Sequence, residues 1–224
     1  MKGLNVKGRN VVKAVLDIAM AAVLVAVMAT ALVQEAPHEW LGLAMLVLMA
    51  AHVVLNRKWL ASVFRGRRSV LRVLQIVMVV ALVACFAGQV ASSLVISKHA
   101  FGFLPALPGS SWARRVHMLC SYWMFVLAFV HAGLHIRLPK RMASWQLWVV
   151  RVLAVLVACY GAVSFAQLGL LPYLTGQVQF AAADYAAPLA LSFARYASVG
   201  VLFGGVSHCV RSAAELARKR KGRG

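Results

Sequence analysis

Long apolar runs alternate with short polar intervals along this chain, and most of the intervals are basic. An apolar run approaching twenty residues reads as a membrane-spanning helix, because the hydrocarbon layer is about 30 Å thick and a helix rises about 1.5 Å per residue. Six such helices are predicted, over roughly 15–33, 37–56, 70–96, 114–137, 144–168 and 188–210. Pro37 suits the first turn of the second, where its missing N–H costs nothing, and Glu35 and Glu39 suit the positive end of the same helix. Gly102, Pro105, Pro108 and Gly109 break helix between the third and fourth runs. A basic start before an apolar run also describes a signal peptide, with Ala29-Thr30-Ala31 as a cleavage-like site, but the first run exceeds the usual apolar length of such segments.

The predicted fold is therefore all-α: a single integral-membrane helical bundle over 1–224. Composition agrees, with 62% of residues hydrophobic. The formal charge of +19 raises nucleic-acid binding, yet the Lys and Arg residues sit at the ends of apolar runs and at the C-terminus. A basic fringe beside anionic lipid headgroups accounts for them, with no nucleic acid involved. The N-terminus, the interval from Arg57 to Arg72, the one around Arg137 to Arg141, and Arg218 to Lys221 are rich in Lys and Arg, whereas 34–37 and 169–187 have none. By the positive-inside rule this predicts a multi-pass protein of the cell's inner (plasma) membrane with both termini cytoplasmic. Asp17 is expected near the inner interface, paired with a Lys or Arg.

Candidate chemistry lies in the histidines. His38 and His52 are fourteen positions apart on the second helix, and His117 and His131 are fourteen apart on the fourth. At about 100° per residue, fourteen steps fall about 40° short of four turns, so each pair lies on nearly one face. The members of a pair are about 21 Å apart along the axis. On the predicted topology the second and fourth helices run in the same direction, placing His38 and His117 at the outer level and His52 and His131 at the inner level. Two imidazoles at one level suit the two axial positions of a haem iron. His135, eighteen residues after His117, points the same way and is the alternative inner ligand or a partner for a haem propionate. His99 reads as a loop or quinone-contacting residue, and His208 as a packing residue. Cys85, Cys120, Cys159 and Cys209 form no CxxC or CxxCH, so covalent haem, zinc and iron–sulfur sites are unsupported.

The HEWLGL start of the second helix, its second histidine shortly before Asn56, and the FVHAGLH end of the fourth resemble the flavinylation-associated cytochrome family. The resemblance spans about Glu35 to Arg137 and leaves the helices at 144–168 and 188–210 as additional spans. It implies a cytochrome b-like bundle carrying two non-covalent haem b groups. Electrons would cross the membrane to an extracytoplasmic flavin-carrying or other redox protein, as one component of an oxidoreductase system with no catalytic residues of its own. Quinone binding is left open. The competing expectation is a cofactor-free membrane anchor or transporter subunit.

Around the histidines, Lys98, Arg114 and Arg115 are candidate partners for outer propionates, and Arg57, Lys58 and Arg137 for inner ones. Gly42 and Gly133 would admit a porphyrin or a neighbouring helix, while Gly200 to Gly204 reads as a GxxxG packing pattern. Trp112, Trp123, Trp145 and Trp148 suit an interfacial belt.

Overall fold

The computed structural model describes residues 6–30, 35–62, 69–103, 108–136, 142–180 and 187–221. Among them every regular element is an α-helix: α1 Val6–Thr30, α2 Glu35–Ser62, α3 Val70–Ile96, α4 Ser110–His135, α5 Ser144–Gln167, α6 Leu170–Leu174 and α7 Leu189–Lys221. Six of them are long and apolar enough to cross a membrane, and α6 is the exception. The helix α3 is crowded with Val and Ile, residues of modest helix propensity in water. In lipid the choice is forced, because every backbone N–H and C=O must be satisfied within the segment. Large side chains such as Val70, Val77, Val83, Leu153, Val155 and Leu156 are exposed on the isolated chain. Apolar surface on that scale suits lipid rather than water, and the chain is multi-pass by this measure.

Several helices outrun their apolar cores. The first starts nine residues before the predicted position 15, α2 continues from Asn56 to Ser62, and α7 runs on from Val210 to Lys221. The added residues are largely Lys, Arg, Ala and Leu, which are good helix formers in the polar interface. The third helix has the predicted bounds. A short helix, α6, occupies the interval predicted as a plain loop. It is bracketed by Gly169 at φ 57° and Gly176 at φ 70°, a left-handed conformation that glycine adopts without steric cost.

The chain divides into two compact units. The first comprises Met1–Arg67, Ser97–Pro105 and Ala182–Leu189. Its core is the antiparallel packing of α1 on α2. Glu39, in the second turn of α2, clamps the segment after α3: its carboxylate accepts from Ser97 Oγ (2.6 Å) and from the backbone N–H groups of Lys98 (2.9 Å), His99 (2.8 Å) and Ala100 (2.8 Å). Glu35 adds an ion pair to Lys98 at 3.0 Å.

The second unit comprises Arg68–Ile96, Ala106–Ala181 and Ala190–Gly224. Within it α3 packs along α4. Small residues let α7 approach closely: a methyl group on Gly133 would collide with the Gly204 carbonyl and the Ser207 hydroxyl, and one on Gly200 with the Phe129 ring. Gly133 therefore serves helix packing, as does the GxxxG pattern. Arg211 donates to the Leu134 (3.0 Å) and Ile136 (3.2 Å) carbonyls, a cation at the negative end of α4. Tyr122 and Tyr173 stack at 4.3 Å where α6 meets α4.

Candidate haem-ligand sites

On α2 the two histidines face α1. His38 Nδ1 lies 3.1 Å from the Val27 carbonyl oxygen, and His52 Nδ1 lies 2.8 Å from Asp17 Oδ1. The sequence sums of these pairs are nearly equal, which is the register of an antiparallel helix pair. A carbonyl or carboxylate oxygen only accepts, so Nδ1 is the protonated nitrogen in both rings. The lone pair of the neutral ring then sits on Nε2. Asp17 thus meets His52, not the Lys or Arg expected for it. The cation one turn away, Lys13, donates instead to Asn56 Oδ1 at 2.7 Å. Asn56 in turn donates to the His52 carbonyl at 3.0 Å and places its amide nitrogen 3.4 Å from His52 Nε2. Lys13 and Asp17 are four apart on α1, and His52 and Asn56 are four apart on α2, so two one-turn ladders face each other. A polar ladder between apolar helices is costly unless its members satisfy one another, as these do.

On α4 the partners come from α3. Gln89 places its amide nitrogen 3.2 Å from His117 Nδ1 and 3.1 Å from Nε2, and Ser93 Oγ lies 3.3 Å from Nδ1. Ser121 Oγ lies 2.6 Å from the His117 carbonyl oxygen and 3.1 Å from Gln89 Oε1, with one proton to give to either. Further along the helix, the rings of His131 and His135 sit 4.7 Å apart. His131 is half-buried and His135 exposed. Gln89, Ser93 and Ser121 escaped the sequence reading; serines and a glutamine one turn apart in apolar helices were the available signal.

The other candidates are dispersed. His99 is exposed, and its backbone, not its ring, contacts Glu39. His208 is half-buried, and among the described residues its Nδ1 has no hydrogen-bond partner. Lys98 is engaged by Glu35, Arg114 lies over the Phe180 ring at 5.6 Å, and Arg115 reaches the Gln179 amide at 3.0 Å. Arg57 and Lys58 are exposed on the last turns of α2, and Arg137 lies outside the described residues. A methyl group on Gly42 would meet no described atom within 4 Å. Trp112, Trp123, Trp145 and Trp148 are all exposed, and Trp123 donates to the Leu174 carbonyl at 2.9 Å. All four cysteines are free thiols within helices.

Ligand chemistry can be judged from these partners. An imidazole that binds a metal through one nitrogen usually donates its other N–H to a carbonyl or carboxylate, which fixes tautomer and ring orientation. His38 and His52 both meet that requirement. No cluster of three or more His, Cys, Asp or Glu suited to a bare metal ion occurs among the described residues, whereas a haem iron needs only two axial side chains. Comparison with protein-family models, curated proteins and solved structures finds no match to this chain.

Proposed function

We propose that the chain is a transmembrane electron-transfer protein holding two non-covalent b-type haems. His38 and His117 would hold one, and His52 and His131 the other, with His135 as the alternative ligand at the second. The observation that carries this reading is the shared Nδ1–H donation of both α2 histidines to oxygens of α1. In both rings it puts the lone pair on Nε2, at two points about 21 Å apart along the helix; at His52 that nitrogen faces the Asn56 amide nitrogen at 3.4 Å, which iron ligation would have to displace. A bound haem supplies reversible one-electron chemistry at its iron. The chain contributes the axial nitrogens, their orientation, and an apolar surround that excludes water. Covalent attachment is not expected without CxxCH.

The Lys and Arg distribution supports cytoplasmic termini in the cell's inner membrane. His38 and His117 then face the outer side, where the resemblance to flavinylation-associated cytochromes supports a flavin-carrying or other redox protein as acceptor. In that role the chain is one component of an oxidoreductase system. A periplasm-active reporter fused after Gly224 should be silent; activity there would reverse the assignment of levels.

The test of the cofactor is a visible spectrum of the full chain purified from haem-replete cells. A Soret band, b-type bands on reduction and complete removal by acid–acetone are expected. Protein without a Soret band would instead support a cofactor-free anchor or transporter subunit.

A further inference from the structure

Two of the four thiols face each other. The antiparallel register that sets Gln89 of α3 against His117 of α4 also sets Cys85 against Cys120, about one turn further into the span on each helix. The contact is made: the Cys85 and Cys120 thiols hydrogen-bond each other. Gly88 brings the helices to this distance. A methyl group there would lie 2.7 Å from Cys120 Sγ and 3.9 Å from Cys120 Cβ, and the β-carbons of a disulfide are about 3.5–4.5 Å apart. The two backbones therefore approach to disulfide range within a turn of both thiols.

Depth decides which chemistry reaches them. Cys85 and Cys120 lie about 15–22 Å along the axis from either end of their helices, near the middle of a hydrocarbon layer of about 30 Å. Thiol–disulfide exchange in water runs through a thiolate, a charge that an apolar medium disfavours. Both thiols are half-buried on the isolated chain, so neither is sealed from the lipid. An oxidant that acts here must dissolve in the bilayer and take both hydrogens, and a lipid-soluble quinone meets both conditions.

We infer that Cys85 and Cys120 form a redox-active dithiol that a membrane quinone oxidises to a disulfide joining α3 to α4. Two S–H bonds break and one S–S bond forms. The two electrons and two protons pass to the quinone oxygens and give the quinol. The product staples the hairpin one turn from the Gln89–His117 contact. The inference is independent of the haem reading, because no step passes through a histidine or a bound metal.

The experiment uses the full chain in phosphatidylcholine vesicles, treated with decylbenzoquinone, then denatured, alkylated, digested and read by mass spectrometry. Cys85 and Cys120 should lose alkylation together and appear in one cross-linked peptide, lighter by the two thiol hydrogens, with one quinol formed per disulfide. Cys159 and Cys209, which are exposed on α5 and α7, should stay alkylated, and dithiothreitol should restore all four thiols. A sulfonated quinone that does not enter the bilayer should oxidise the pair far more slowly. Cys120→Ser should leave Cys85 alkylated after the same treatment; if that variant does not fold, peptide mapping of the wild type alone decides. Full alkylation of Cys85 and Cys120 after quinone treatment would overturn the inference. So would a disulfide to Cys159 or Cys209, or a quinone adduct on one sulfur in place of the cross-link. Haem content is read separately, so either claim can fail without the other.

Discussion

Two helix hairpins in this chain solve the same problem with different chemistry. In α1–α2, as in α3–α4, antiparallel apolar helices share a polar ladder one turn long, centred on a histidine. The partners of α2 are pure acceptors, the Asp17 carboxylate and the Val27 carbonyl, so they dictate the tautomer. The partners of His117 are the Gln89 amide nitrogen, which only donates, and the Ser93 hydroxyl, which donates or accepts, so one ring nitrogen must accept. The first hairpin fixes where a ring proton sits, and the second fixes where a ring lone pair is needed. The packing differs too. On α3 a methyl group at Gly88 would lie 2.7 Å from Cys120 Sγ, whereas one at Gly42 on α2 meets no described atom within 4 Å. The lesson is that equal spacing of histidines does not make equal sites: the helix opposite decides what each ring can do.

The strongest way to break the comparison is to remove the rings. His38→Ala and His117→Ala should each lose the same haem, and the double variant should lose no more than either single, because one missing axial ligand already leaves the iron weakly held. His52→Ala and His131→Ala should behave alike at the other haem. Should His135→Ala abolish that haem while His131→Ala spares it, His135 is the ligand. A smaller effect should separate the packing of the hairpins. Gly88→Val should lower stability in detergent by about 1–3 kcal/mol through overpacking, while Gly42→Ala should raise it by about 0.5–1 kcal/mol through helix propensity. Thermal unfolding of the two variants reads both. Smaller again, Gln89→Leu should move the potential of the proposed His117 haem by less than tenfold in its reduction equilibrium, since no charge is lost. The least effect is expected from Lys13→Met, a downward shift of the His52 component of less than tenfold, because Lys13 acts through Asn56.

Much of this architecture is legible from hydrophobic runs alone. The bounds of α3 follow from its run of apolar residues, and α5 ends within a residue of its predicted limit. The tails of α2 and α7 do not follow, since Arg, Lys and Ala continue a helix after its apolar face has ended. The five-residue α6 lacks any periodic signal and depends on Gly169 and Gly176 for its ends. Fourteen-residue spacing picks out His38, His52, His117 and His131, but it is blind to the opposing helix. Asp17 therefore reads as a partner for Lys or Arg when it meets His52, and Gln89 passes as one polar residue in an apolar span. Register between helices is a tertiary property, and spacing along a single helix carries no record of it.

The central claim is that His38 and His52 each hold a separate haem. The direct measurement is the haem-to-protein ratio, by pyridine haemochrome, of the wild-type chain beside His38→Ala and His52→Ala. About two haems per wild-type chain and about one in each variant are expected, with different spectral components lost. No haem in the wild type, or an unchanged ratio in both variants, would contradict it.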